Sequence, residues 1–198
     1  MSTRLSPVLS PADLPEAELH AARLDGELFA VDDRFSPIDE IECAGYRARS
    51  LLPTPSSRLV AERETAAWIL GATDRPPERH QFCTNIAARV RVLSEMRLDV
   101  REVVIDDSEI LTVGGLRVTI PLRTAIDIAR FSRDFGPEDC VMIGALMALG
   151  AFGVEDCAAA MNRRRNLPRK QRALARIRES AAHGVDPSRY PPLTLYTS

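Results

Sequence analysis

The sequence lacks the features that mark membrane, exported and metal-binding proteins. No run approaches the roughly 18 apolar residues that cross a bilayer, and the N-terminal segment has no apolar core of the signal-peptide type. The four cysteines form no CxxC pair and the three histidines are dispersed, which indicates reduced core thiols and no zinc site. These absences predict a cytoplasmic protein with no membrane association and no bound metal.

Recognisable catalytic motifs are absent too. The chain has no GxxxxGKS/T or GxGxxG loop, no Gly-Ser pair followed by spaced aspartates, and no recognisable Ser, Cys or His triad. Asp106, Asp107 and Glu109 follow a predicted strand and are candidate Mg²⁺ ligands. Nucleases of the PD-(D/E)xK type need a lysine beside such carboxylates, but the only lysine, Lys170, lies in a predicted C-terminal helix. We therefore interpret the acidic segment as a turn and predict no enzymatic activity and no cofactor.

Arginine, by contrast, is abundant and unevenly distributed. Residues 1–52 carry five arginines and ten acidic residues, net −5, whereas residues 161–178 carry eight basic residues and no acid, net +8. An acid-free basic stretch is typical of a surface that contacts phosphate groups. The alternative is pairing with acidic residues, such as those of the N-terminal part or of a second copy. The candidate DNA contacts are Arg163, Arg164, Arg165, Arg169, Lys170, Arg172 and Arg176, with Arg23 and Arg34 as weaker N-terminal candidates. The buried face of this predicted helix would consist of Leu174, Ile177 and Ala181.

The apolar pattern predicts an α+β protein of two parts. Residues 1–52 form a winged-helix-like unit, with a helix near 15–24, two short strands joined at Asp32-Asp33, and a helix over 38–52. The sequence PTPSS (53–57) marks a boundary, after which residues 53–198 form a mixed domain with four to five strands and a helical C-terminal part. Its predicted elements are a helix over 57–70 with Ser57 as N-cap, strands at 81–86, 99–105, 109–113 and 116–120, and helices near 121–131, 136–150, 154–165 and 168–182. Gly114-Gly115 predicts a tight hairpin between the last two strands, and the helix near 136–150, apolar nearly all round, is predicted to be buried.

One strand-to-helix joint, GGLRVTIPLRTAIDIAR (114–130), concentrates polar side chains. Its notable residues are Thr119, Pro121, Arg123, Thr124 and Asp127. Pro121 sets the end of the strand, and a threonine hydroxyl can bond the free N–H groups of the first helical turn. Arg123, Asp127 and Arg130 share one helix face and can form an ion-pair ladder. We interpret the joint as structural rather than catalytic; if Asp127 is buried, it requires a partner.

Two stretches together resemble the AbiEi family, the antitoxins of type IV abortive-infection toxin–antitoxin systems, in its actinobacterial form. One is RLVAERETAAWILGA (58–72), and the other is the joint, which is similar to the family's pattern V-T-x-P-x-R-T-x-x-D-x-A. The matching residues are Val118, Thr119, Pro121, Arg123, Thr124, Asp127 and Ala129. NRRRNLP (162–168) is also similar, and the resemblance covers about residues 57–180, with a weaker echo at 15–37.

The resemblance implies a non-enzymatic transcriptional regulator that binds the DNA of its own promoter region through a winged helix. It also implies a nucleotidyltransferase-like toxin as functional counterpart, without direct binding to it. The predicted recognition segment here is acidic, with Asp13, Glu16, Glu18 and Asp25, and acidic side chains repel phosphate. We therefore expect a shortened winged helix that serves packing or dimerisation, with the basic C-terminal helix on DNA, alone or with a dimer mate. The alternative is a protein-interaction module whose basic helix docks an acidic partner or a dimer mate.

Overall fold

The computed structural model describes residues 7–52, 56–88 and 97–193. The N-terminal part contains α1 (Glu16–Leu24), β1 (Leu28–Val31), β2 (Arg34–Pro37) and α2 (Ala44–Ser50). The strands of the larger part are β3 (Val60–Ala61), β4 (His80–Asn85), β5 (Leu98–Val103), β6 (Ile110–Val113) and β7 (Leu116–Thr119). Its helices are α3 (Arg63–Leu70), α4 (Pro121–Phe131), α5 (Pro137–Gly150), α6 (Val154–Asn162) and α7 (Lys170–His183). The predicted α+β class and the helical C-terminal part are confirmed.

The larger part is built on a five-stranded mixed sheet in the order β5-β4-β3-β7-β6. The central strand, β3, has only two residues and pairs antiparallel with β4 and parallel with β7. The strands β4 and β5 are parallel, while β6 and β7 form the predicted antiparallel hairpin. Gly114 and Gly115 turn the hairpin with φ of +55° and +89°, a left-handed backbone that favours glycine.

Helix α4 begins directly after β7 and contacts α3, α5, α6 and α7. Pro121 is its first residue, as predicted, because proline presets the helical φ and has no N–H to leave unpaired. Every residue from 123 to 130 is buried. The polar side chains in this helix therefore need partners inside the protein. Helix α5, which the sequence predicts to be buried, has six of its fourteen residues buried, whereas Val141 is 38% exposed.

The start of α3 differs from the prediction. The segment 57–70 is not one helix, because Val60 pairs with Cys83 of β4 and Arg117 of β7 as part of the sheet. The N-cap of α3 is consequently Glu62 rather than Ser57. Periodicity did not separate these two residues from the helix because a strand of this length is stabilised by its neighbours rather than by its own sequence.

Helix α2 and the break between α6 and α7 also differ from the prediction. Helix α2 covers only Ala44–Ser50 of the predicted 38–52. Helix α6 ends at Asn162, and α7 begins at Lys170 rather than at Pro168. Between them, Asn166 and Arg169 adopt φ of +54° and +62°, which a right-handed helix excludes.

The N-terminal part packs on the larger part through its hairpin and through α2, which contacts α3 and β6. Val31 and Ala48 belong to the same apolar core as the sheet and helices. At the hairpin turn, the Oδ2 atom of Asp32 lies 3.0 Å from Nε2 of His80, and its Oδ1 atom accepts a bond from Arg97 at 3.1 Å. The predicted boundary remains a prediction, and its residues 53–55 lie outside the described residues.

We expect Asp32→Asn to lower the free energy of unfolding at pH 7 by about 1–3 kcal/mol, because the side chain of Asp32 is 5% exposed. Burial by itself raises the pKa of Asp32, but the hydrogen bond and charge of His80 and the charge of Arg97 lower it below 3.8. The stabilisation is therefore complete above pH 3.8 and is lost as the pH falls through the lower folded pKa. Urea unfolding at pH 7 and pH 3 tests this.

The matched control is Asp33→Asn, because Asp33 pairs with the same Arg97 but its side chain is 67% exposed. We expect this change to have little effect. Equal losses for Asp32→Asn and Asp33→Asn, or a loss from Asp32→Asn that does not shrink at pH 3, would contradict the interpretation.

Candidate nucleic-acid interface and the buried ion network

Asp127 lies in the middle of α4 with a carboxylate that is 1% exposed. It accepts three arginine N–H bonds, from Nε of Arg123 at 2.7 Å, Nη1 of Arg130 at 3.0 Å and Nη2 of Arg101 at 3.1 Å. The side chains of Arg123 and Arg130 are themselves only 5% and 8% exposed. The predicted ladder of Arg123, Asp127 and Arg130 is therefore present, and burial makes its partners necessary.

Two further carboxylates extend this arrangement. Glu62 is fully buried and accepts bonds from Nη2 of Arg101 at 2.6 Å and Nε of Arg63 at 3.2 Å. Glu109 accepts a bond from Nη1 of Arg123 at 2.8 Å and another from Arg164. We call the connected set the ion network: Glu62, Arg101, Glu109, Arg123, Asp127, Arg130 and Arg164.

The pKa of each network arginine depends on whether its carboxylate partners outweigh the effect of its burial. Burial lowers the pKa of Arg123, but Asp127 and Glu109 outweigh it and raise the pKa above its ordinary value. Burial likewise lowers the pKa of Arg101, but Glu62 and Asp127 outweigh this effect and raise the pKa above its ordinary value. For Arg130, burial is not offset by Asp127, and the charges of Arg123 and Arg101 lower its pKa further. Of these three arginines, Arg130 is therefore the one whose carboxylate partner compensates its burial least.

The threonine hydroxyls of the joint are buried and paired with each other. Oγ1 of Thr119 lies 2.7 Å from Oγ1 of Thr124, which also contacts the carbonyl oxygen of Ile120 at 3.0 Å. The expectation that a threonine caps the first turn of α4 is therefore wrong, because the hydroxyls bond to each other and to carbonyl oxygens rather than to free N–H groups. These hydroxyls have no access to a substrate.

The acidic segment before β6 forms the predicted turn. Residues Asp107–Glu109 form a single 3-10 turn, and the backbone N–H of Asp106 donates to Oε2 of Glu109 at 3.1 Å. Among the described residues, no group of three or more His, Cys, Asp or Glu side chains is arranged to hold a metal ion. Lys170 bonds to Asn162 instead of to these carboxylates.

The candidate DNA contacts fall mainly on the connection between α6 and α7 and on the first turn of α7. Four of these arginines are exposed, and we call them the basic ridge: Arg163, Arg165, Arg169 and Arg172. Lys170 lies among them and is half-buried. Arg164 is also half-buried, because it turns inward to Glu109. The structure thus brings four of the predicted contacts together at one exposed segment.

Arg176 is an exception, and its placement corrects the prediction. It is 8% exposed, and its Nη1 atom donates to the carbonyl oxygens of Ala129 and Ser132 at 3.0 Å each. Its guanidinium also stacks over Phe135 with 4.5 Å to the ring centroid. Arg176 therefore joins α7 to α4, and it is not exposed with Arg169 and Arg172.

The buried face of α7 is rotated from the one predicted. It consists of Ala173, Arg176, Ile177 and Ser180, whereas Leu174 is half-buried and Ala181 is exposed. The N-terminal candidates lie elsewhere in the chain. Arg23 is exposed in the last turn of α1, and Arg34 is half-buried in β2.

Sequence reasoning did not connect Glu62, Arg101 and Glu109 to the joint. A usable signal for Glu62 is its position: it comes directly after the apolar run LVA and directly before a helix with a buried face. Glu109 was considered only as a metal ligand. Arg101 has no such signal, because no residue of its strand is fully buried and Asp99 and Glu102 on either side of it are exposed.

These features define an α+β protein in which a buried ion network lies beneath an exposed arginine-rich connection. Residues 59–165 match the family model of the AbiEi antitoxin C-terminal domain, and the chain belongs to that family. The resemblance is thereby confirmed. The matched range contains every member of the ion network as well as Arg163 and Arg165 of the ridge. Membership supports an antitoxin role and implies a toxin as counterpart.

The fold is also similar to a solved structure, that of the RV2827C protein from Mycobacterium tuberculosis. The two share 19% sequence identity with a TM-score of 0.50, over 93% of this chain and 74% of the other. This likeness concerns the fold alone. The curated proteins include no match to this sequence. Within the described ranges no single helix is long and apolar enough to span a bilayer; only α5 and α6 together pass that test, bent by 88°.

Proposed function

We propose that this antitoxin-family protein is a non-enzymatic transcriptional regulator of a type IV toxin–antitoxin system that contacts its own promoter DNA through the basic ridge. The observation that carries the proposal is the exposure of four arginines within a stretch that contains no acid. Arg163, Arg165 and Arg172 form no ion pair with the described part of the chain. Exposed and uncompensated guanidinium groups are what a phosphate backbone requires.

The electrostatic surroundings support the same proposal. Burial lowers the pKa of Arg176, the charges of Arg172 and Arg169 lower it further, and the charges of Asp139 and Glu179 only partly oppose this. Arg172 and Arg169 therefore contribute positive potential to the same neighbourhood. By contrast, the first turn of α1 carries Glu16 and Glu18, both exposed, which disfavours that helix as the main phosphate contact.

We propose that the protein is not an enzyme because its buried polar side-chain atoms already have hydrogen-bond partners within the protein. In the described part of the chain, no buried side-chain nitrogen or oxygen lacks a hydrogen-bond partner. The buried polar atoms of the ion network are thus paired with one another or with neighbouring groups such as Arg63 and the backbone N–H of Asp106. A catalytic site usually keeps such groups available for a substrate or a metal.

The test is DNA binding by the wild-type protein and by the triple variant Arg163→Ala/Arg169→Ala/Arg172→Ala. With a duplex from the region upstream of its own gene, we expect wild-type affinity to fall steeply with salt. The variant should lose most of that affinity, because it lacks three groups that contact phosphate. The magnitude of the slope of log affinity against log salt should also decrease by about 0.9 for each lost phosphate contact. Fluorescence anisotropy over a series of salt concentrations measures both quantities.

A matched control removes three exposed arginines outside the ridge, Arg49→Ala/Arg58→Ala/Arg75→Ala, with the same change in net charge. We expect this control to retain the wild-type salt slope. No binding by wild type at low salt would refute the DNA proposal. Equal losses in the two triple variants would show that net charge, and not the ridge, governs affinity.

The alternative is a protein-interaction module in which the ridge docks an acidic partner or a dimer mate. The observation in its favour is the acidity of residues 1–52, with ten acidic residues against five arginines. This alternative predicts salt-sensitive self-association, measured by sedimentation velocity, that the ridge triple variant abolishes. DNA binding without such self-association would favour the first proposal.

A further inference from the structure

The α6–α7 connection is a seven-residue segment, 163–169, with an unusual backbone. Asn166 and Arg169 are non-glycine residues with φ of +54° and +62°. Such conformations are sparsely populated and persist where surrounding contacts hold them. Three of the four ridge arginines, Arg163, Arg165 and Arg169, lie on this segment. Their position on the surface therefore depends on whatever holds the connection.

The ion network supplies those contacts at both ends of the connection. Near its start, Arg164 donates to Oε2 of Glu109. Near its end, Nε of Arg130 donates to the carbonyl oxygen of Pro168 at 3.3 Å, and Nη1 of Arg169 lies 3.5 Å from the carbonyl oxygen of Arg130. The connection is thus attached to α4 and to the turn before β6.

Glu109 is itself held in place from the interior. Its Oε2 atom accepts bonds from Nη1 of Arg123 at 2.8 Å and from the backbone N–H of Asp106 at 3.1 Å. Arg123 is in turn bonded to Asp127 at 2.7 Å. An unbroken chain of ion pairs therefore runs from the buried carboxylate of α4 to the base of the ridge.

We propose that Glu109 is a positioning residue for nucleic-acid binding: through Arg164 it keeps the α6–α7 connection ordered, so that Arg163 and Arg165 meet phosphate groups in a preformed arrangement. This inference rests on the proposed function. An ordered binding segment loses less conformational entropy on association, and affinity rises accordingly. The strand-to-helix joint would then help to position the ridge, because Arg123, which is bonded to Asp127, also holds Glu109.

Glu109→Gln separates this role from simple electrostatics because the two predict opposite changes in DNA affinity. The substitution removes a negative charge beside the ridge, so electrostatics alone predicts tighter DNA binding. Loss of the ion pair with Arg164 predicts weaker binding, by about 5- to 20-fold, which corresponds to ordering one or two residues during association. The salt slope should stay unchanged, because the phosphate contacts themselves are retained.

The control is Glu179→Gln, which makes the same charge change at an exposed site on α7 outside the ion network. We expect its affinity to equal or slightly exceed that of wild type. Circular dichroism must show that both variants are folded at the assay temperature. Glu109→Gln binding as tightly as Glu179→Gln would overturn the proposal, whereas weaker binding at an unchanged salt slope would support it.

Limited trypsin cleavage measures the order of the connection without DNA. Cleavage after Arg163, Arg165 and Arg169 should be several-fold faster in Glu109→Gln than in wild type or in Glu179→Gln. Arg164→Met removes the other member of the same ion pair and should also accelerate cleavage after Arg163 and Arg165. Unchanged cleavage in both variants would overturn the ordering role. If wild type binds no DNA, the proposed function fails, and the trypsin result still decides whether Glu109 orders the connection.

Discussion

Replacing Asp127 with alanine is expected to lower the free energy of unfolding by about 3–5 kcal/mol. The carboxylate is 1% exposed and accepts bonds from Arg101, Arg123 and Arg130. Its removal leaves these guanidinium groups with too few acceptors in a region from which water is largely excluded. The loss is greatest at Arg130, where burial already outweighs the stabilisation from Asp127. Urea unfolding followed by circular dichroism measures it.

Asp107→Ala is the control for this prediction. The carboxylate of Asp107 is 97% exposed and pairs with Arg117 on the surface, so its loss should change stability by less than about 1 kcal/mol. Asp127→Asn keeps the shape of the side chain and should give an intermediate loss. A variant Asp127→Asn that abolishes function while retaining wild-type stability would show that our structural interpretation of the joint is wrong.

Arg101→Met is expected to cost about 3 kcal/mol, the lower end of the range for breaking a buried ion pair, because Arg101 is 23% exposed. The change removes the bond from Nη2 of Arg101 to Glu62 at 2.6 Å and the bond to Asp127 at 3.1 Å. Glu62 then keeps the longer contact with Nε of Arg63 at 3.2 Å and the hydrogen bond with the Cys83 side chain, but it loses both bonds from Arg101. The loss of the stacking of Arg101 on Phe131, 4.1 Å from the ring centroid, adds a smaller contribution.

The double variant Glu62→Gln/Arg101→Met tests whether the unpaired charge causes this loss. Because it leaves no ionised carboxylate at position 62, we expect it to be more stable than Arg101→Met alone. Arg117→Met serves as the control, since the ion pair of Arg117 with Asp107 is exposed and its loss should be small. If the double variant is less stable than Arg101→Met, the network does not act through charge compensation at Glu62. The same urea titrations measure all three variants.

The two stability predictions and the proposal for Glu109 concern one connected structure. Asp127 anchors the network inside α4, Arg101 links it to the sheet, and Glu109 links it to the ridge. Ion pairs of this kind are weak evidence for net stability, because well-packed apolar residues can replace them. An explanation for their presence is that they orient an exposed segment. Variants that weaken DNA binding while leaving the protein folded would distinguish this explanation from simple stabilisation.

Local sequence features predicted much of the fold. Pro121 marked the start of α4, and Gly114-Gly115 marked the hairpin between β6 and β7, because both act through the backbone of their own neighbours. The ladder of Arg123, Asp127 and Arg130 followed from helical spacing alone. The family resemblance was likewise available from the sequence, since it rests on a continuous motif. Features whose cause lies within a few residues could thus be predicted.

By itself, then, the sequence determined the α+β class, the joint and the arginine-rich segment. The tertiary structure alone decided that Val60–Ala61 forms the central strand, since its partners in β4 and β7 are distant in the chain. It also decided that Arg176 turns to the carbonyl oxygens of α4, because helical spacing specifies a face but not what that face packs against. The ion pair between Glu109 and Arg164 spans 55 positions, and no local pattern encodes such a contact. Local rules act through neighbouring backbone, whereas these contacts depend on how distant segments pack together.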